Sequence, residues 1–215
     1  MLGQIAILVV ITVAVSYLLG CINGALLISR YILHDDVRNH GSGNAGLTNF
    51  YRVFGGPLTA VVILCDMLKA VIAVLLGAWL LGDLLGWGVL GKYIAGVSCM
   101  LGHMYPCMFQ FKGGKGALSG FAVVLMINWK LALIIIAIFA VAVAITRWVS
   151  LGSLLGGLSF IVGTAILYRN PAVIVFGTVI GVLVFWQHRS NIVRIFQGKE
   201  SKFQLHKKKD TEEQK

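Results

Sequence analysis

The feature that most constrains the fold is a succession of long apolar runs that fills most of this chain of 215 residues. A helix needs about 20 consecutive apolar residues to cross a bilayer. Hydrophobic residues make up 58% of the sequence and charged residues only 12%, with a mean hydropathy of +0.88. A soluble domain of this composition would lack the polar residues that cover its surface, so the sequence predicts an all-α integral membrane protein.

Seven runs are candidates for membrane crossing. The first lacks a basic start and a small-residue cleavage site, so we interpret it as a retained span and not as a signal peptide. The region 117–146 leaves two alternatives open, because it is long for one upright helix and short for two. The candidate runs are Gln4–Ser29, Pro57–Leu81, Leu90–His103, Ala117–Ile127, Leu131–Thr146, Leu151–Tyr168 and Pro171–Gln187.

The distribution of basic residues predicts the orientation, because lysine and arginine accumulate on the cytoplasmic side of a membrane. Seven crossings with the N-terminus outside place 14 of the 18 lysines and arginines on the cytoplasmic side. Six crossings would put the basic C-terminal end outside, and five crossings are the fallback. We therefore predict a bundle of seven transmembrane helices, some short, over residues 1–200, followed by a cytoplasmic tail at 201–215 that is expected to be disordered.

The formal net charge is +10, and the basic residues are unevenly placed: eight of the 18 lysines and arginines lie at or after Arg189, with three consecutive lysines from Lys207. This predicts contact with anionic membrane lipids, whereas no aromatic or recognition element accompanies the charges to suggest nucleic acid. The four cysteines lack metal-ligand spacing and are expected to be buried thiols, so no metal and no disulfide framework is predicted.

Three polar segments punctuated by glycine fall on the predicted cytoplasmic side. The first segment is GSGNAGLTNFYR, Gly41–Arg52. Glycines such as Gly41 and Gly43 let backbone N–H groups converge on an anion, and the guanidinium of Arg52 matches phosphate oxygens. The alternative is a glycine- and asparagine-rich turn with a topological arginine. Neutral hydrogen-bonding groups come from Ser42, Asn44, Thr48 and Asn49.

The second segment is GHMYPCMFQFKGGKG, Gly102–Gly116. In it Lys112 and Lys115 flank the turn Gly113-Gly114, and Gly116 precedes an apolar run, so a phosphate could find lysine charge, backbone donors and a helix N-terminus. A simple juxtamembrane loop explains the same residues equally well. The segment is not a nucleotide P-loop, because phenylalanine stands at position 109 and Gly116 stands where Ser or Thr is required.

The third segment is HRSNIVRIFQGKE, His188–Glu200, in which His188 and Asn191 are one helical turn apart. A histidine at the end of a span is also a common interfacial anchor. Asp66 and Lys69 lie inside the second span, where ionisable groups are costly. We interpret them first as an ion pair that fixes helix packing and second as a proton or ion path.

Together these segments resemble the bacterial membrane acyltransferase family called PlsY. The resemblance rests on GSGNAGLTNFYR, DMLK, GHMYP with FKGGKG, and HRSNIVR followed by GKE, so it extends over nearly the whole membrane domain. Departures are Leu47 before Thr48, Ala117-Leu118-Ser119 after the second segment, and Cys21-Ile22-Asn23 in the first span. The resemblance implies a seven-helix bundle in the bacterial cytoplasmic membrane with its site on the cytoplasmic side.

The resemblance also implies the reaction, which is transfer of a fatty acyl group from acyl phosphate to the sn-1 hydroxyl of glycerol 3-phosphate. It implies no cofactor and no obligate protein partner. His188 is the one side-chain candidate for a general base, and a phosphate oxygen of the substrate is the alternative. A transporter of a phosphorylated solute is the competing function. The resemblance implies catalytic roles for Ser42, Arg52, Lys115, His188 and Asn191, substrate binding by Gly41, Gly43, Asn44, Thr48, Asn49, His103, Lys112, Gly113, Gly114 and Gly116, and structural roles for Asp66, Lys69 and Glu200.

Overall fold

The structure is a computed structural model that describes residues 2–203. Most of the predicted tail, residues 204–215, lies outside the described residues. Within the described part every regular element is helical, in agreement with the predicted all-α class. The helices are α1 (Leu2–Cys21), α2 (Gly24–Tyr31), α3 (Leu47–Val53), α4 (Leu58–Gly77, continued by a π-helical turn at Ala78–Asp83), α5 (Gly88–Met104), α6 (Ala117–Ile127), α7 (Trp129–Thr146), α8 (Val149–Leu167), α9 (Pro171–Gln187) and α10 (Arg189–Phe196).

Two asparagines divide apolar sequence into separate helices. The first run was predicted as one span over Gln4–Ser29, and these bounds are wrong, because α1 ends at Cys21 and Asn23 accepts a hydrogen bond from the Leu26 N–H as the N-cap of α2. Asn128 acts in the same way between α6 and α7, where its side chain accepts from the Leu131 N–H. The region 117–146 is therefore two helices. In both places a short polar side chain satisfies an N–H that the new helix leaves open.

Four helices are long and apolar enough to cross a membrane: α1, α4 with its π-helical turn, α7 and α8. Helices α9 and α10 together make a fifth candidate, bent by 57° at His188. The remaining predicted spans are shorter, since α5 has 17 residues and α6 has 11. By length and composition the described residues thus provide four or five spans, and not seven.

Helix α5 lies at the centre of the bundle, where it packs against α1, α4, α6 and α9. Glycines allow α1 and α5 to approach closely. A Cβ on Gly20 would lie 2.1 Å from the Cys99 carbonyl oxygen, and a Cβ on Gly102 would lie 2.0 Å from the Tyr17 carbonyl oxygen. Any side chain at either position would separate the two helices.

A buried polar cluster joins the broken first run to α4 and α5. The expected ion pair is present, with the Lys69 ammonium 2.8 Å from Asp66 Oδ1, and both side chains are almost fully buried. Lys69 also donates to the Ile22 carbonyl oxygen at 2.7 Å, and Asp66 accepts from the Gly24 N–H at 3.2 Å. The Lys69 ammonium lies 2.8 Å from His103 Nδ1. The cluster therefore satisfies backbone groups that the break after α1 leaves open.

The cysteines depart in part from expectation. Cys21 and Cys99 are buried and Cys65 is half-buried, but Cys107 is exposed in the second segment. The prediction that all four thiols are buried in spans is therefore wrong for Cys107. The cause is the loop after α5, in which Pro106 ends the helix and brings the next residue to the surface.

Candidate active site

A cavity of about 500 Å³ lies where the three polar segments meet the N-terminal parts of α6 and α8 and the C-terminal part of α9. Its wall changes character along its length. The polar segments supply hydroxyl, amide and cationic groups, whereas α6 to α9 supply an apolar wall with four glycines, Gly120, Gly152, Gly156 and Gly157. The apolar wall includes Phe121, Val124, Ile135, Phe139, Phe160 and Val184.

The first segment owes its shape to Asn49, which is buried. Its side-chain oxygen accepts from the Ser42 N–H at 2.8 Å, and its amide donates to the carbonyl oxygens of Val37 and His40 at 3.0 and 3.1 Å. Gly41 has φ +59°, and a Cβ there would lie 2.4 Å from Asn49 Oδ1. The Asn49 amide is thus engaged by its own loop, and the loop presents the Ser42 hydroxyl to the cavity.

Helix α3 carries the cation of the first segment. Thr48 and Arg52 are four residues apart on this helix, so they share one face, and both line the cavity. Arg52 is exposed in the described part of the chain, which leaves its guanidinium accessible to an anion entering the polar end. Ser42, Thr48 and Arg52, which belong to one segment of the sequence, therefore line the same cavity.

The two glycines of the second segment have a different role from the one that their sequence suggests. The N–H of Gly113 donates to the Met104 carbonyl oxygen, and the N–H of Gly114 donates to the His103 carbonyl oxygen, both at 3.1 Å. A Cβ on Gly113 would lie 2.0 Å from that same His103 oxygen. The glycines allow the loop to lie against the end of α5, and their N–H groups are already used there.

Lys115 follows this turn and reaches the cavity, where its ammonium donates a hydrogen bond to Asn191 Oδ1. Burial and the nearby positive charges of Arg194 and Arg52 lower the pKa of Lys115 to about 8, although Glu200 acts in the opposite direction. A bound anion would relieve that repulsion. The surroundings of Lys115 therefore neutralise its positive charge only in part.

The third segment begins at the bend between α9 and α10. His188 caps α9, is 3% exposed, and has Nδ1 2.8 Å from the Val184 carbonyl oxygen. Because a carbonyl oxygen accepts only, Nδ1 carries the proton in this contact and Nε2 of the neutral ring keeps its lone pair. The neutral ring can therefore accept a hydrogen bond at Nε2.

Glu200 completes the polar wall by joining three elements. Its Oε1 accepts from Asn191 at 2.6 Å and from Ser150 at 2.7 Å, and its Oε2 accepts from Arg194 at 2.8 Å. Burial opposes ionisation, but these hydrogen bonds hold the pKa of Glu200 below its usual value. The carboxylate thus orients the amide of Asn191, whose oxygen holds Lys115.

The structure brings most of the predicted site residues together and leaves others outside. Eight predicted residues do not line the cavity: the exposed Lys112, three buried members of the polar cluster (Asp66, Lys69 and His103), and four glycines. The lining residues that were missed include Ser150, Arg194 and Phe203. Arg194 lies within the third segment and could have been found there. The predicted residues that line the cavity are Ser42, Asn44, Thr48, Asn49, Arg52, Lys115, Gly116, His188, Asn191 and Glu200, and those that do not are Gly41, Gly43, Asp66, Lys69, His103, Lys112, Gly113 and Gly114.

Known proteins are similar to this chain in sequence and in fold. The family model described as glycerol-3-phosphate acyltransferase matches residues 10–198. Relatives named glycerol-3-phosphate acyltransferase include one from Thermoanaerobacter sp. (strain X514), 41% identical over 90% of this chain and 94% of its own length. Another, from Finegoldia magna, is 37% identical over 87% of this chain and 92% of its own length.

Two crystal structures of PlsY (YgiH), described as an integral membrane glycerol 3-phosphate acyltransferase, also match. The glycerol 3-phosphate form has a TM-score of 0.83 at 32% identity and covers 91% of this chain and 96% of its own. The lysophosphatidic acid form has a TM-score of 0.80 at 31% identity, covering 92% of this chain and 96% of its own. With its motifs, its cavity and this coverage, the chain is an acyltransferase that belongs to the glycerol-3-phosphate acyltransferase family.

Proposed function

We propose that the protein transfers a fatty acyl group from acyl phosphate to the sn-1 hydroxyl of glycerol 3-phosphate, giving 1-acyl-glycerol 3-phosphate and inorganic phosphate. The observation that carries this proposal is a single cavity with a cationic polar end and an apolar wall. Such a cavity can hold two phosphates at one end and a fatty acyl chain along the other. The PlsY crystal forms with glycerol 3-phosphate and with lysophosphatidic acid support the same acceptor and product.

In this reaction the glycerol hydroxyl attacks the acyl carbonyl carbon, and the bond from that carbon to the phosphate oxygen breaks. Arg52 and Lys115 hold the phosphate of glycerol 3-phosphate, since both are cations on the polar wall. Holding two reactants in attack geometry can lower a barrier by roughly 7–11 kcal/mol. Binding and orientation are therefore the main contributions of the protein.

In this proposal His188 orients the attacking hydroxyl, and a phosphate oxygen of the substrate accepts its proton. With Nδ1 engaged by Val184, Nε2 of His188 can accept the hydrogen bond of the attacking hydroxyl and orient it. A full proton on His188 would place a second cation in a buried ring near Lys115, which is costly. A phosphate oxygen of the acyl phosphate is the better final acceptor, and the departing phosphate carries the proton away.

The acyl chain lies along α6 to α9 in this proposal. Three of the glycines that line that wall lie on α8, and a Cβ on Gly152 would come 2.7 Å from the Phe139 ring, so α7 and α8 lie close together there. The chain can then enter from the lipid, where the substrate resides, without crossing the polar segments. The positions of the remaining polar residues suit two further roles: the hydroxyls of Ser42 and Thr48 contact substrate phosphate, and Asn191 holds Lys115 in place.

For topology we propose seven crossings of the bacterial cytoplasmic membrane, with the N-terminus outside and the cavity mouth facing the cytoplasm. Each of the seven predicted runs contains a helix, and the three basic segments meet at one site, as this orientation requires. Helix α6 is about 16 Å long, which is shorter than the bilayer core. A crossing at α6 therefore requires that the adjoining loop backbone is buried in protein and is not exposed to lipid. Labelling single cysteines introduced at positions 52 and 188 from both sides of sealed vesicles tests this, and labels on opposite faces contradict it.

The function is tested with purified protein in micelles. Acyl phosphate and labelled glycerol 3-phosphate should give labelled 1-acyl-glycerol 3-phosphate, whereas acyl-CoA or acyl carrier protein should give none. Turnover with acyl-CoA would overturn the proposed donor. Uptake of glycerol 3-phosphate into protein-containing liposomes without acylation would favour the competing transport function.

A further inference from the structure

We propose that Arg38 is a positioning residue for glycerol 3-phosphate binding, because its guanidinium holds the second segment in the conformation that presents Lys115. The identity of the ligand rests on the proposed function, whereas the positioning role rests on the contacts that Arg38 makes. Arg38 does not line the cavity, so it acts through another residue.

The first step is the contact between Arg38 and the second segment. Arg38 Nη1 donates to the carbonyl oxygens of Phe109 and Lys112, both at 3.0 Å, although it is more than 70 residues earlier in the chain. Between these carbonyls Gln110 and Phe111 have φ +59° and +57°. Two successive non-glycine residues in the left-handed region are unfavourable without surrounding support. One guanidinium nitrogen therefore joins the two ends of a strained turn.

The second step is how Arg38 itself is held. Arg38 Nη2 lies 2.8 Å from Asp36 Oδ2, and its Nε donates to Asp36 Oδ1 at 3.0 Å. These hydrogen bonds keep the pKa of Asp36 well below its usual value, so the carboxylate stays charged in the neutral range. Only a planar fork can bind the carboxylate on one edge and two carbonyls on the other. A lysine at this position keeps the charge but cannot make both sets of contacts.

The third step carries the effect to Lys115. Lys112, whose carbonyl Arg38 binds, is three residues before Lys115, and the intervening Gly113 and Gly114 are fixed to the end of α5. The turn is thus held on one side by Arg38 and on the other by α5. If the Arg38 side is released, Lys115 is presented in only a fraction of molecules. The apparent dissociation constant of its ligand rises by the inverse of that fraction, whereas the bound complex is unchanged.

This reasoning predicts a specific kinetic pattern for Arg38→Lys. The KM for glycerol 3-phosphate should rise roughly tenfold, the expected range for loss of charge-assisted hydrogen bonds, while kcat and the KM for acyl phosphate stay within about twofold. The control is Arg169→Lys, a substitution at an exposed arginine in the α8–α9 connection, which should leave all three values unchanged. A loss of kcat with an unchanged KM for glycerol 3-phosphate would overturn the inference.

Two further variants separate positioning from general destabilisation. Asp36→Asn should raise the same KM, and adding it to Arg38→Lys should change little, because the first substitution already removes the shared contacts. Gln110→Gly relieves one left-handed residue, so in the Arg38→Lys background it should recover about threefold of the lost affinity. A variant that only destabilised the fold would not be rescued by a glycine in this turn.

Hydrogen exchange provides a readout that needs no substrate. In the substrate-free protein, Arg38→Lys should speed exchange of the Gly113 and Gly114 N–H groups, and Arg169→Lys should not. Faster exchange in a protein that fails to turn over glycerol 3-phosphate would overturn the proposed function but keep the role of Arg38 in the loop. Unchanged exchange and unchanged KM in an active protein would overturn the inference itself.

Discussion

The ammonium of Lys115 donates a hydrogen bond to the amide oxygen of Asn191, which lies 76 residues further along the chain. Asn191 in turn donates to Glu200, so the cation of the second segment is held by two residues of the third. The proposed phosphate site therefore depends on contacts between two segments that are far apart in the sequence.

The lowered pKa of Lys115 predicts an upper pH limit for substrate binding. Lys115 is charged below its pKa of about 8 and loses its charge as the pH rises through that value. Because kcat/KM reports the free enzyme, its value for glycerol 3-phosphate should fall above about pH 8. In Lys115→Arg this decline should move to much higher pH, since arginine stays protonated. An identical decline in both proteins would assign the titration to another group.

Arg52→Lys should lower kcat/KM for glycerol 3-phosphate by roughly 10- to 150-fold, because it keeps the charge but loses the planar fork, a loss of about 1.5–3 kcal/mol. Arg52→Ala should cost more, since the phosphate also loses its compensating charge. Steady-state kinetics of the folded variants measures both. Near wild-type efficiency for the lysine variant would leave Arg52 with a topological role only.

Glu200→Gln should lower both stability and activity. The carboxylate joins α8, α10 and the following chain through Ser150, Arg194 and Asn191, and losing its charge should lower the free energy of unfolding by about 1.5–3 kcal/mol. Its lowered pKa means that this contribution is present above the unfolded pKa of about 4.3 and is lost as the pH falls below it. Thermal unfolding in detergent at pH 7 and pH 4 should therefore show a smaller difference between wild type and variant at pH 4.

Gly156→Val should reduce use of long acyl chains more than short ones. A Cβ on Gly156 would already lie 3.2 Å from the Ile135 side chain, so a larger side chain must occupy cavity space. The measurement is kcat/KM across a series of acyl phosphates of increasing length. Gly163→Val is the matched control, because its Cβ would meet Leu131 at 2.5 Å outside the cavity lining. Equal chain-length profiles for the two variants would contradict the placement of the acyl chain.

The apolar runs were enough to predict most helices, but not every place where a run is broken. The run Pro171–Gln187 was predicted with the bounds that α9 has, because proline starts it and polar residues follow it. The break at Asn23 was missed, since the surrounding residues are apolar and the cap depends on one side chain. The runs that contain α5 and α6 were predicted as crossings, but these helices have only 17 and 11 residues and do not count as spans by length and composition.

The sequence predicted the site well where side chains line the cavity. It predicted less well where backbone N–H groups form hydrogen bonds within the protein and are not free for a ligand. Ser42, Arg52, Lys115 and His188 line one cavity, as their segments indicated. The free N–H groups expected at Gly113 and Gly114 are instead bonded to the end of α5, and sequence carries no signal for that pairing. The contribution of Ser150 depends on the packing of α8 against the chain after α10, which no motif encodes.

The buried polar cluster has a consequence for how the chain enters the bilayer during synthesis. On insertion scales one Asp and one Lys at mid-helix together disfavour an isolated α4 by about 5–7 kcal/mol. The groups that satisfy Asp66 and Lys69 include backbone atoms at Ile22 and Gly24, which emerge from the ribosome earlier, and His103, which emerges later. Insertion of α4 together with the neighbours that satisfy these groups is therefore energetically favoured over insertion of α4 alone.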